Sequence, residues 1–125
     1  MLGAMDAEQA IADLTEISPQ VREVVVVGPR GGLVGTNASP ERAQAIAEVA
    51  QRLLAAADEL QSEGEVAQLE AATAQGSVFA IRDDGRLIAA TTTVEPTVGL
   101  VFYDLKTCLR SIDRSRGKKA ENGAA

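Results

Sequence analysis

Residues 21–60, VREVVVVGPRGGLVGTNASPERAQAIAEVAQRLLAAADEL, constrain the fold more than any other part of the chain. They read as strand, glycine-rich turn, strand, capped start and one long helix. Val24, Val25, Val26 and Val27 are β-branched and apolar on both faces of a pleat, which suits a central strand covered on two sides. Gly28, Pro29, Arg30, Gly31 and Gly32 supply the backbone freedom and the fixed φ of a tight reversal, with Leu33, Val34 and Gly35 as the returning arm. Ser39 can then cap the orphan amides of a helix whose first position tolerates Pro40.

That helix carries too much apolar surface for one sheet. With Ile46 at zero on a wheel of about 100° steps, Leu53, Leu60, Val49 and Ala57 fall beside it. Ala56 and Ala45 extend the arc on one flank, and Ala50, Ala43, Leu54 and Ala47 on the other. The arc spans roughly 200°, about twice the stripe that a surface helix needs. Gln44, Glu48, Gln51, Arg52, Asp58 and Glu59 fill the remainder, so the helix has one wet side. A second copy of the same helix is the economical cover for the surplus. The expected homodimer contact is therefore Ile46, Val49, Ala50, Leu53, Ala57 and Leu60.

The other elements follow from periodicity and punctuation. Ile11, Leu14 and Ile17, with Ala7 and Ala10, predict a short amphipathic helix over residues 6–17, ended by Ser18-Pro19. After the long helix, Gly64 marks a left-handed cap. Residues 66–73 alternate, with Ala67, Leu69 and Ala71 on one side and Gln68 and Glu70 on the other, as in a half-wet strand at a sheet edge. Val78, Phe79, Ala80 and Ile81 form a buried strand, Asp83-Asp84-Gly85 a hairpin turn, and residues 87–93 its return. Val98, Val101, Leu105, Cys108, Leu109 and Ile112 recur at helical spacing, which favours a closing helix even though Val101-Phe102-Tyr103 has strand propensity. The predicted order is α-β-β-α-β-β-β-α in one domain, an α+β sandwich over residues 6–113.

Composition excludes much chemistry. The chain has no histidine, so Ser-His-Asp or Cys-His catalysis and the usual zinc sites cannot be built within it. One cysteine, Cys108, allows no internal disulfide, and its apolar setting reads as an inert thiol. Asp83 and Asp84 are turn residues rather than a paired acid and base. The turn at Gly28 opens a strand instead of a helix and lacks the lysine of a phosphate loop, so Arg30 at its tip reads as surface. A net charge of −6 and only three aromatic residues, Phe79, Phe102 and Tyr103, argue against nucleic acid. No apolar run is long enough to span a membrane, and the first residues, MLGAMDAEQ, lack the pattern of a signal peptide. The expectation is a cytoplasmic, non-enzymatic protein without cofactor or metal. Residues 114–125, with Arg114, Arg116, Lys118 and Lys119, read as a basic C-terminal tail without apolar anchors.

The stretches IADLTEISPQV, VREVVVVGPRGGLVG, the helix from Pro40 to Leu60, VFAIRDDGRLIAAT and VGLVFYDLKTCLRSI together resemble the Roadblock, or dynein light chain, family. The similarity is to bacterial members that accompany small Ras-like GTPases, and to the actinobacterial set that also includes a sensor kinase-like protein. This resemblance implies a five-stranded antiparallel sheet, with the long helix on one face and the terminal helices on the other. It also implies a homodimer in which the long helices lie side by side and the third strands pair, which would bring Val66, Gln68 and Glu70 into the contact. Such members act on a GTPase by binding it, generally without donating catalytic groups. Glu48, Arg52, Asp58 and Glu59, on or beside the outer side of the helix, are the expected partner-binding positions. A profilin- or PAS-like small-molecule sensor is the alternative reading.

Overall fold

The computed structural model describes residues 5–60 and 64–112. The order is α1 (Ala7–Ile17), β1 (Val21–Val27), β2 (Leu33–Thr36), α2 (Pro40–Leu60), β3 (Gln68–Thr73), β4 (Gly76–Asp83), β5 (Arg86–Thr92) and α3 (Val98–Ser111). The five strands form one antiparallel sheet in the spatial order β2-β1-β5-β4-β3. The predicted architecture is therefore the observed one. The basic tail lies outside the described residues.

Local chemistry explains the boundaries. Asp6 caps α1 by accepting the Gln9 amide at 2.8 Å, and Ser39 accepts the Arg42 amide at 3.3 Å in the first turn of α2. Asp84 (φ 55°) and Gly85 (φ 81°) are both left-handed, as a two-residue hairpin between Asp83 and Arg86 requires. Strand β3 starts two residues later than the alternation predicts. The Val66 amide is taken by the Asp58 carboxylate and its carbonyl by the Arg82 guanidinium, which removes it from the ladder.

Alternation across the strands builds two cores. On one face Val24 and Val26 of β1, Phe79 and Ile81 of β4, and Ile88 and Ala90 of β5 pack against α1 and α3. On the other, Val25, Val27, Ala80, Leu87 and Ala89 meet Ala43, Ile46, Ala47, Ala50 and Leu54 of α2. Ile17 is not part of either, being 67% exposed. Steps of three residues drift about 60° each around a helix, so Ile17 has rotated off the face held by Ile11 and Leu14. Phe79 is fully buried and meets Phe102 edge-on at 4.9 Å between ring centres. Phe79→Ala is expected to cost about 3–5 kcal/mol in a urea titration, because removing a fully buried ring leaves a cavity in the core beneath α1 and α3.

Candidate functional site

The surplus apolar surface of α2 survives folding. Ala43, Ile46, Ala47, Ala50 and Leu54 are closed off by the sheet, so Ile46 and Ala50 have little surface left for a second copy. Val49 remains 42% and Leu60 85% exposed, Ala45 and Ala56 are exposed, and Leu53 and Ala57 half-buried. These residues form one continuous flank. Arg42 projects within about 20° of Leu53 on the wheel and reaches Glu23 beside the cleft lined by Thr73, Gln75 and Gly76. The opposite flank, at Gln51, faces the Gly28 turn and Gly85. The apolar flank thus lies on the side of the molecule where β3 ends.

Strand β3 is the outermost strand on that side. The Ala67 carbonyl accepts the Arg82 amide at 2.8 Å, so alternation turns the backbone groups of Leu69 and Ala71 toward β4 and those of Gln68, Glu70 and Ala72 toward the open edge. The Glu70 side chain accepts the Ser77 hydroxyl at 2.7 Å. Val66, whose backbone is bonded to Asp58 and Arg82, stands at the start of this edge. A row of amides and carbonyls without a strand partner among the described residues, beside an apolar flank, is a surface that another strand and helix can complete.

The charged positions differ among themselves. Glu48, Arg52 and Glu59 are exposed on the face of α2 turned away from the sheet, with Gln44 donating to Glu48 at 2.9 Å. Asp58 instead holds α2 to the sheet, accepting Arg82 at 2.8 and 3.0 Å and the Val66 amide at 2.7 Å. At the other end of α2, Arg42 donates twice to Glu23, at 3.0 and 2.7 Å, and the Thr91 hydroxyl donates to the same carboxylate at 2.9 Å. The hydrogen bonds from Arg42 hold Glu23 below the usual carboxylate range, and those from Arg82, then Val66, do the same for Asp58. Both carboxylates stabilise the fold fully above the ordinary carboxylate range, and that contribution is lost as pH falls through and below it. The urea midpoint should therefore drop between about pH 6 and pH 3, and drop less in Asp58→Asn.

The sequence matches no family model and no curated protein. The structure is similar to the Roadblock/LC7 domain from Streptomyces avermitilis, with a TM-score of 0.72 at 17% identity over 86% of this chain and 94% of that one. It is similar to Myxococcus xanthus MglB, with a TM-score of 0.68 at 16% identity over 84% and 83% of the two chains. The chain has the Roadblock/LC7 fold. LokiProfilin1, solved with rabbit actin, shares the architecture more loosely, at a TM-score of 0.53 and 12% identity over 96% and 98% of the chains.

Within this Roadblock/LC7 fold the one cysteine is withdrawn from solvent. Cys108 is buried in α3, and burial, with the nearby Asp13 charge, pushes its thiol up to about 12. Asp83 at the end of β4 pairs with Arg110 of α3 at 3.1 Å, and no cluster of three metal-binding side chains exists among the described residues. No helix among them is long and apolar enough to cross a membrane. The ion pairs Glu23–Arg42 and Asp58–Arg82 escape a reading of the sequence, since partners 19 and 24 residues apart on different elements leave no periodic signal.

Proposed function

We propose that this chain is a non-catalytic homodimeric regulator or scaffold that binds a small Ras-like GTPase within a cytoplasmic signalling complex. The observation that carries the reading is the coincidence of the apolar flank of α2, from Ala45 to Leu60, with the open edge of β3 on one side of the molecule. Two copies related by a two-fold axis would set Val49, Leu53, Ala57 and Leu60 of one helix against the same residues of the other, and would pair Gln68 and Glu70 across the edge. The outer faces of the two helices, with Glu48, Arg52 and Glu59, would then form a charged platform for the GTPase. The GTPase itself, and a sensor kinase-like protein as further partner, come from the Roadblock resemblance. Both faces of the sheet are covered by helices, which weighs against a ligand cup of the profilin or PAS type.

Light scattering on the purified protein at micromolar concentration should give the mass of two copies. Immobilised protein should recover a small GTPase from lysate of its own source, and adding the protein should change the rate of GTP hydrolysis or nucleotide exchange by that GTPase. Single copies across the concentration range would remove the dimer from the proposal, and recovery of no GTPase would remove the partner.

A further inference from the structure

Five of the seven large apolar side chains exposed among the described residues, Ile17, Val94, Val98, Leu100 and Tyr103, gather where α1 ends and α3 begins. The other two belong to the flank of α2. Contacts at both ends fix this arrangement. The Thr97 amide donates to the Gln20 side chain at 2.6 Å and the Thr93 amide to the Gln20 carbonyl at 2.9 Å. At the far end the Met5 amide donates to the Ser111 carbonyl at 3.1 Å. The two helices therefore run antiparallel, with Ile17 level with the first turn of α3. Between them lies a groove of about 360 Å³ on the face opposite α2, with Ala10, Leu14 and Cys108 as its buried floor and Ile17 at its end. Leu100 stands one turn before Asp104, a groove residue, and so on the same side of α3, and Tyr103 follows within about 60° of Leu100. Leu100 is 50% and Tyr103 68% exposed, and neither belongs to a core. The apolar floor thus continues onto an open ledge, which is the form of a contact surface.

We propose that the ledge of Ile17, Leu100 and Tyr103, with the groove behind it, docks an amphipathic helix of a partner protein whose apolar side is bordered by lysine or arginine. This surface is separate from the pairing flank and the outer platform of α2. The apolar residues supply the contact, and the charge around them selects the occupant. Asp13, Glu16 and Asp104 border the groove, no lysine or arginine lines it among the described residues, and the exposed Glu95 adjoins Val94. Arg110 is paired with Asp83, and Lys106 stands about 130° round α3 from the groove residues Asp104, Thr107 and Ser111. A second copy set on this face would bring acid against acid, and an anionic bilayer would be repelled. A helix with cationic borders meets both demands. Laid along the antiparallel pair, it would add a third helix to the layer and seat apolar side chains one turn apart against the ledge and the groove.

Tyr103 is the only tyrosine and the chain has no tryptophan, so its emission reports on this ledge without a label. The probe is a synthetic Leu/Lys amphipathic helix of about four turns carrying one tryptophan as energy acceptor. Titrated into the full chain, it should quench Tyr103 emission with saturation at micromolar concentration, and the half-saturation point should rise several-fold at about 1 M salt. Ile17→Ser combined with Leu100→Ser, both at exposed positions, should raise that point about tenfold or more, whereas Val49→Ser combined with Leu60→Ser on α2 should leave it within about twofold. Absence of quenching, equal quenching by a Leu/Glu peptide of the same pattern, or an unchanged titration in the Ile17 and Leu100 variant would overturn the assignment. So would a fall in the mass of that variant by light scattering, which would make the occupant a second copy, or a change in Tyr103 emission on phosphatidylglycerol vesicles, which would make it a bilayer.

Discussion

Leu53→Asp is expected to run as single copies under conditions where the parent chain runs as pairs, with helix content and urea midpoint of the isolated chain little changed. The two halves of this expectation have separate causes. Leu53 is half-buried and belongs to neither core, so a carboxylate there stays in water in the lone chain. In the proposed dimer it would face its own copy across a two-fold axis, placing two like charges in a desolvated contact. That penalty, on the order of 3–5 kcal/mol, weakens association by two to three orders of magnitude. Leu54→Asp should behave differently, because Leu54 is closed off by the sheet and a charge there unfolds the subunit. Glu48→Lys, on the outer face, should leave the pairing intact and alter only binding to the GTPase. Light scattering and circular dichroism on the three variants separate these outcomes. A Leu53→Asp chain that remains paired would move the contact off this flank.

The physical signals present in the chain account for what can be read from it. Four consecutive valines, an Asp-Gly turn and a Ser-Pro helix start are local, and each produced the element that its chemistry predicts. The width of the apolar arc of α2 was also legible, but its division was not. Ile46 and Ala50 sit as close to the centre of the arc as Leu53 and Val49, and the wheel alone does not say which half meets the sheet. That is set by where the chain enters α2 and by the ion pairs Glu23–Arg42 and Asp58–Arg82 at its two ends, which are contacts between distant segments. The low exposure of Asp104 has the same origin: a single acid in α3 reads as a wet position, and the approach of α1 narrows its access to water.

Gly76→Ala is expected to destabilise the fold far more than Gly31→Ala, although both glycines have positive φ. At Gly31 (φ 88°) an added Cβ meets nothing within 4 Å, so the cost is the left-handed backbone alone, about 1 kcal/mol. At Gly76 (φ 148°) the added Cβ would press into the carbonyl oxygen of Thr92 in the neighbouring strand. That oxygen cannot swing away as a side-chain terminus would, since Thr92 is the last residue of β5 and its hydroxyl accepts the Ser77 amide at 3.3 Å. The Gly76 carbonyl is held in turn by the Thr73 hydroxyl at 2.7 Å, which resists movement on the other side. Backbone strain and overlap together should cost on the order of 3 kcal/mol or more. At roughly 5 °C per kcal/mol for a domain of this size, thermal unfolding at one fixed protein concentration should drop by about 15 °C for Gly76→Ala and about 5 °C for Gly31→Ala. The damage falls at the turn joining β3 to β4, so the open edge that the second copy would pair with should loosen first. Amide exchange should rise at Leu69 and Ala71, whose amides are turned toward β4, before it rises in β1. Equal shifts for the two variants would mean that the β3–β4 turn is free to move away from β5, and a strand that free could not serve as a fixed edge for pairing.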